Sequence, residues 1–185
     1  MQDRFQFYKD SYYRELDKQA EINASLSLPI GLITAFVAGL YYLLSNFNFS
    51  FAGWTMTFFL VATIGAIAFL LTSVYHLIMC YNKIPHGYTY LQIADAQAIE
   101  DYYESLTNHY INNPDEAGNT KQETQEYVTL EMIKNTDANQ KNNKEKVKFR
   151  YNSEKWLIRS FLAICLSLPF FGMNFSQTPK KKNSN

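Results

Sequence analysis

Apolar residues are gathered into three long runs, and polar residues fill what lies between them. Leu26–Leu44 and Gly53–Cys80 carry no charge, and only about eight residues separate them. Trp156–Phe175 is broken only by Arg159, near its start. A helix needs about 20 mainly apolar residues to cross the hydrocarbon core of a bilayer, and a backbone in lipid must satisfy its own hydrogen bonds. The three runs are therefore predicted to be transmembrane helices. The fold class is an all-α integral membrane protein whose remaining residues form a cytosolic helical bundle or stalk.

The connectors also read as helices. In the arm, Phe5, Tyr8, Tyr12, Leu16 and Ala20 recur every three to four residues with charges on the other face, which predicts an amphipathic helix. No breaker stands before Pro29, so this helix is expected to run almost directly into the first span, with a kink at the proline. Asn82–Tyr88, containing Pro85, His86 and Gly87, is a predicted turn. A helix follows over roughly Ile93–Tyr110, with Ile99, Tyr102, Tyr103, Leu106 and Tyr110 on one side, and Asn112–Asn119 is a loop. One long helix is expected from about Thr120 to Pro169. It is apolar at Tyr127, Leu130 and Ile133, polar at Asn135, Asn139, Asn142 and Asn143, and apolar again at Val147, Phe149 and Tyr151. Pro169 and Gly172 leave a re-entrant third helix as the alternative to a full span. The expected division is 1–24 as the cytosolic arm, 25–80 as a transmembrane hairpin, 81–155 as a cytosolic segment, 156–175 as the third span and 176–185 as a disordered tail. No strand alternation and no internal repeat is present.

Charge adds an orientation. Seventeen basic and seventeen acidic residues balance, so no basic signature for nucleic acid exists and no DNA partner is expected. Arg4, Lys9, Arg14 and Lys18 precede the first span; residues 45–52 carry no charge; Lys141, Lys144, Lys146, Lys148, Arg150 and Lys155 precede the third. The positive-inside rule puts the arm and the central segment in the cytoplasm, 45–52 outside, and the tail outside against the weaker pull of Lys180–Lys182. The polar first 24 residues are unlike a signal peptide, so the first span is expected to be an uncleaved anchor. Cys80 and Cys165 read as buried free thiols.

Candidate chemistry is sparse. About 120 residues remain outside the spans, in pieces smaller than an ordinary enzyme domain. No Gly-rich phosphate loop, His-Glu-x-x-His, paired Cys or Gly-x-Ser-x-Gly occurs, and His76, His86 and His109 make no metal set, so no cofactor is expected. Gly31, Ala35 and Gly39 form a stripe of small residues, as do Ala62 with Ala66 and Gly65 with Ala68; such stripes let helices approach closely, within the hairpin or between copies. Thr34, Thr63, Thr72 and Ser73 are the polar positions that a lumen would use. Asn135, Asn139, Asn142 and Lys146 lie along one helical face. That row lines a ligand or partner site, fixes register against the arm, or is the solvated face of a weak helix. Lys146 and Arg150 also belong to the basic cluster Lys141–Lys155, which meets anionic lipid or, in an oligomer, forms a phosphate-binding collar.

The segment Phe7-Tyr8-Lys9-Asp10-Ser11-Tyr12-Tyr13-Arg14 followed by the hairpin Leu26–Cys80 resembles the SLATT family of small bacterial membrane effectors, found with anti-phage nucleotide-signalling systems. The resemblance implies an inner-membrane protein that assembles into a homo-oligomer and perforates the bilayer when its system is triggered. The trigger would be a cytosolic nucleotide second messenger or a protein partner. A non-enzymatic effector is the expected function. An accessory or scaffolding subunit of a larger membrane complex is the alternative, and an enzyme ranks third because no catalytic pair is visible.

Overall fold

The computed structural model describes residues 2–50, 53–84, 87–116 and 118–177. Five α-helices account for most of them: α1 Gln2–Ala24, α2 Ser27–Asn46, α3 Trp54–Tyr81, α4 Ala96–Asn112 and α5 Thr120–Gln177, with a 3-10 turn at Pro114–Glu116. Phe51, Ala52, Pro85, His86, Ala117 and the tail from Thr178, including Lys180–Lys182, lie outside the described residues. Three helical stretches are long and apolar enough to cross a membrane, within Asp3–Asn46, Trp54–Tyr81 and Thr120–Asn174.

Three expected features change. The first helix breaks at Ser25–Leu26, one turn ahead of Pro29, rather than kinking at it. Proline has no N–H, so the carbonyl of Ser25, four residues back, would receive no helical bond; the break falls there and leaves Pro29 in the first turn of α2. At the other end α5 continues through Pro169 to Gln177, so the punctuation by Pro169 and Gly172 does not turn the chain back. Residues 93–95, expected to begin a helix, are not helical, and α4 starts at Ala96.

The chain forms two compact units. One is Met1–Ile22 with Pro85–Glu145, the other Asn23–Ile84 with Lys146–Asn185. Lys146–Lys155, expected to close the cytosolic segment, thus belong with the apolar helices.

In the second unit the buried positions of α3 are Phe59, Thr63, Ala66, Leu70, Ser73, Leu77 and Cys80, spaced alternately four and three apart. That spacing is a seven-residue repeat, which winds paired helices into a left-handed supercoil. On α5 the positions Lys146, Ser153, Ser160, Ser167 and Asn174 are buried at intervals of seven. The Cys80 thiol donates to the Lys146 carbonyl (3.2 Å), the Ser73 hydroxyl to the Ser153 carbonyl (2.8 Å), the Ser153 hydroxyl to the Ser73 carbonyl (3.0 Å) and the Ser160 hydroxyl to the Ala66 carbonyl (2.9 Å). Each pair steps back along α3 as it steps forward along α5, so these helices are antiparallel. α2 runs parallel to α5, with Phe36 stacked on Phe161 at 5.7 Å and Asn48 bonded to Asn174. Hydroxyl-to-carbonyl bonds of this kind need backbones in close approach, which serine permits and leucine would not.

The polarity of this unit is reversed relative to a water-soluble bundle. Its seam holds Ser73, Ser153, Ser160 and Ser167, all fully buried, while Leu28, Val61, Ile64, Leu71, Ile158 and Leu166 point outward. A contiguous apolar exterior is unfavourable in water but matches lipid, where small and polar residues belong between helices.

In the first unit α1 runs beside the start of α5, and α4 folds back on α5 through the 3-10 turn. Tyr102 meets Tyr127 at 4.6 Å and the Tyr110 hydroxyl donates to Glu123 (2.6 Å). The buried face of α1 is Tyr12, Glu15 and Ile22, with Leu16 half-buried and Ala20 exposed. On α5 it is Thr129, Met132, Asn135, Asn139 and Asn143, while Leu130 is exposed. The expected apolar stripes are therefore rotated: the buried positions recur every three to four residues on other faces and are largely polar.

Candidate functional site

The most elaborate arrangement of polar side chains is an asparagine ladder on α5, in the first unit. It grips residues 89–92, a non-helical strap that precedes α4. Asn139 does so at two points: its Oδ1 accepts from the Leu91 N–H (2.9 Å) and its Nδ2 donates to the Leu91 carbonyl (3.0 Å). Asn135 Nδ2 donates to the Gln92 carbonyl (2.9 Å) and Asn142 Nδ2 to the Thr89 carbonyl (2.7 Å). Asn143 accepts from the Tyr90 hydroxyl (2.7 Å) and donates to both the Glu15 carbonyl (2.7 Å) and its carboxylate (2.9 Å). The Ile93 N–H reaches the Tyr12 hydroxyl at 3.3 Å. An amide presents a donor and an acceptor side by side, so it can pair with a peptide unit as a neighbouring strand would. The bonds that Asn135, Asn139 and Asn142 make to the strap go to backbone groups, so these amides recognise main chain rather than particular side chains.

The expectation of a weak, solvated helix at these asparagines is overturned, since Asn139 and Asn143 are fully buried. Asn143, which was not among the candidates, is the one that fixes register against α1. A buried polar group must be paired, and a run of asparagines at positions 135, 139 and 143 on a helix was the available signal.

Lys146 and Arg150 fall in the second unit. Lys146 Nζ donates to Asn23 Oδ1 (3.0 Å), Arg150 Nη1 donates to the Ser25 hydroxyl (2.7 Å), and Arg150 pairs with Glu154 at 3.4 Å. They brace the turn between α1 and α2. The far end of the same unit repeats the two-point grip: Asn174 accepts from the Asn48 N–H (2.8 Å) and donates to its carbonyl (2.9 Å).

The small-residue positions separate. Ala66 is fully buried under Ser160, and Ala62 is half-buried beside it. Gly31 and Ala35 are exposed and Gly39 half-exposed, and a Cβ on Gly31 or Gly39 would meet nothing within 4 Å. The α2 face that packs within the chain carries Ile33, Phe36, Leu40 and Leu43 instead. The Thr34 and Thr72 hydroxyls bond back to the Ile30 and Ala68 carbonyls, one turn earlier in their own helices.

Tyr110 gives a pH test of the α4–α5 contact. Its hydrogen bond to the Glu123 carboxylate raises the phenol above its usual ionisation range. The folded state thus holds the proton longer than the unfolded state. The stabilisation is complete below the ordinary tyrosine value, about pH 10, and is lost as pH rises from there through the raised value. Thermal melts in detergent are expected to show the wild type losing its advantage over Tyr110→Phe across that window. A difference independent of pH would contradict the bond.

Among the described residues no group of three or more His, Cys, Asp or Glu is placed to hold a metal ion. Compared with protein-family models, curated proteins and solved structures, the chain matches none.

Proposed function

We propose that the chain is a non-enzymatic effector of a bacterial inner membrane, one that assembles with copies of itself and permeabilises the bilayer when a cytosolic signal reaches its polar unit. The observation that carries this reading is α5. It runs without a break from Thr120 to Gln177, and one seven-residue column along it serves both units. At Asn139 the column grips the strap; at Ser153 and Ser160 it is the close contact with α3. A displacement of the strap by a nucleotide or a protein partner would alter the packing of the same helix that spans the membrane. The clamped strap is the resting state in this account, and its release is the trigger. Anti-phage defence is the setting that the resemblance to SLATT effectors suggests. The open face at Gly31 and Ala35 supports assembly, because it is smooth, apolar and unused among the described residues.

Cross-linking tests assembly. With Cys165 replaced by serine, Ala35→Cys is expected to give disulfide-linked dimers in native membranes, and Ile64→Cys on the outward face of α3 much less. In the same membranes a cysteine at position 48 should label from outside and one at position 116 should not. Inserted protein that never cross-links to itself would favour a scaffolding subunit instead.

A further inference from the structure

A groove of about 690 Å³ lies in the second unit, between the α1–α2 turn and the end of α3. Leu26 and Leu77, both buried, form its floor, and the exposed Ile30 and Ile78 its walls. Asn23 and Asn82 supply amides at its polar end. We propose that this groove seats one anionic phospholipid, an acyl chain on the leucine floor and the phosphate at the amide end.

Two observations favour that occupant. The groove sits where α2 begins and α3 ends, at the boundary between apolar helix and polar chain, where a headgroup meets its acyl chains. The unit that holds it is predominantly basic. The described part of this unit carries Lys83, Lys146, Lys148, Arg150, Lys155 and Arg159 against the single carboxylate of Glu154. Lys146 and Arg150 lie behind the groove, bonded to Asn23 and Ser25. The pairing of Cys80 with Lys146 fixes these cations at the groove end of the unit. Basic pockets at helix ends select anionic headgroups, and the volume is that of an ordinary ligand site. A zwitterionic lipid would fill the apolar part equally well without meeting this charge.

The proposal rests on the membrane reading alone, and its test does not read permeabilisation. Full-length protein is extracted with mild detergent from vesicles of phosphatidylglycerol and phosphatidylethanolamine and weighed by native mass spectrometry. One phosphatidylglycerol per chain is expected to remain, in excess over its share of the vesicle. Ile78→Trp and, from the facing helix, Ile30→Trp should fill the groove and lower that retention about tenfold, equivalent to about 1.4 kcal/mol. Ile64→Trp, on the outward face of α3, should retain the lipid. Melting curves check that each variant is folded, and Lys83→Gln, which leaves the groove open, should reduce the preference for phosphatidylglycerol. Equal retention in wild type and both groove variants, or lipids held in the proportions of the vesicle, would overturn the proposal.

Discussion

Ser160→Leu is expected to break the pairing of α3 with α5. Ser160 has no exposed surface, and its hydroxyl bonds the Ala66 carbonyl at 2.9 Å, so the two backbones are already at the closest distance that side chains allow. A leucine would force them apart along the seam and strand Ser153 from Ser73 one heptad away. Over-packing together with the lost hydrogen bond amounts to about 2–4 kcal/mol. Ser160→Ala removes the bond and keeps the approach, and should cost only about 0.6 kcal/mol. Thermal unfolding followed by size exclusion in detergent distinguishes them. Leucine as well tolerated as alanine would mean that the helices are not packed through this column.

Asn139→Leu should free the strap while leaving the apolar unit folded. It deletes the two-point grip on Leu91 and leaves that residue's N–H and carbonyl without their partner, at about 1–3 kcal/mol for each group kept from water. Hydrogen exchange at Leu91 is expected to quicken at least about tenfold, the equivalent of about 1.4 kcal/mol. α3 should stay protected from exchange as a folded helix. Asn139→Asp, which keeps the acceptor but turns the donor into a charge against a carbonyl, should also loosen the strap. Unaltered exchange at residues 89–93 in both variants would show that the strap is held by other means.

The three apolar runs were legible because lipid imposes a length and a composition that few other structures share. The helices between them were legible in number but not in facing. Leu130, Val147 and Tyr151 looked like a buried stripe and are exposed, whereas Asn139, Asn143 and Glu15 looked solvated and are buried. Hydrophobicity alone could not show this, because the buried column follows a seven-residue period whose members are bonded in pairs rather than apolar. Glu15 and Asn143 each explain the burial of the other, and neither does so in isolation. The strap was invisible for a related reason: residues 89–92 lie outside any helix, and side chains 43–53 residues away complete their backbone hydrogen bonds. Gly31 and Ala35 read as a packing stripe but are exposed, and among the described residues a Cβ on Gly31 would meet nothing within 4 Å.

Membrane potential in living bacteria tests the central claim most directly. Wild type and Asn139→Leu are expressed to matched levels, and depolarisation is read with a potential-sensitive dye alongside cross-linking at position 35. The Asn139→Leu chain is expected to depolarise the inner membrane at levels where wild type leaves it intact. Asn139→Leu protein that is inserted and cross-linked, with its strap freed by hydrogen exchange, and yet leaves the potential unchanged would contradict the claim.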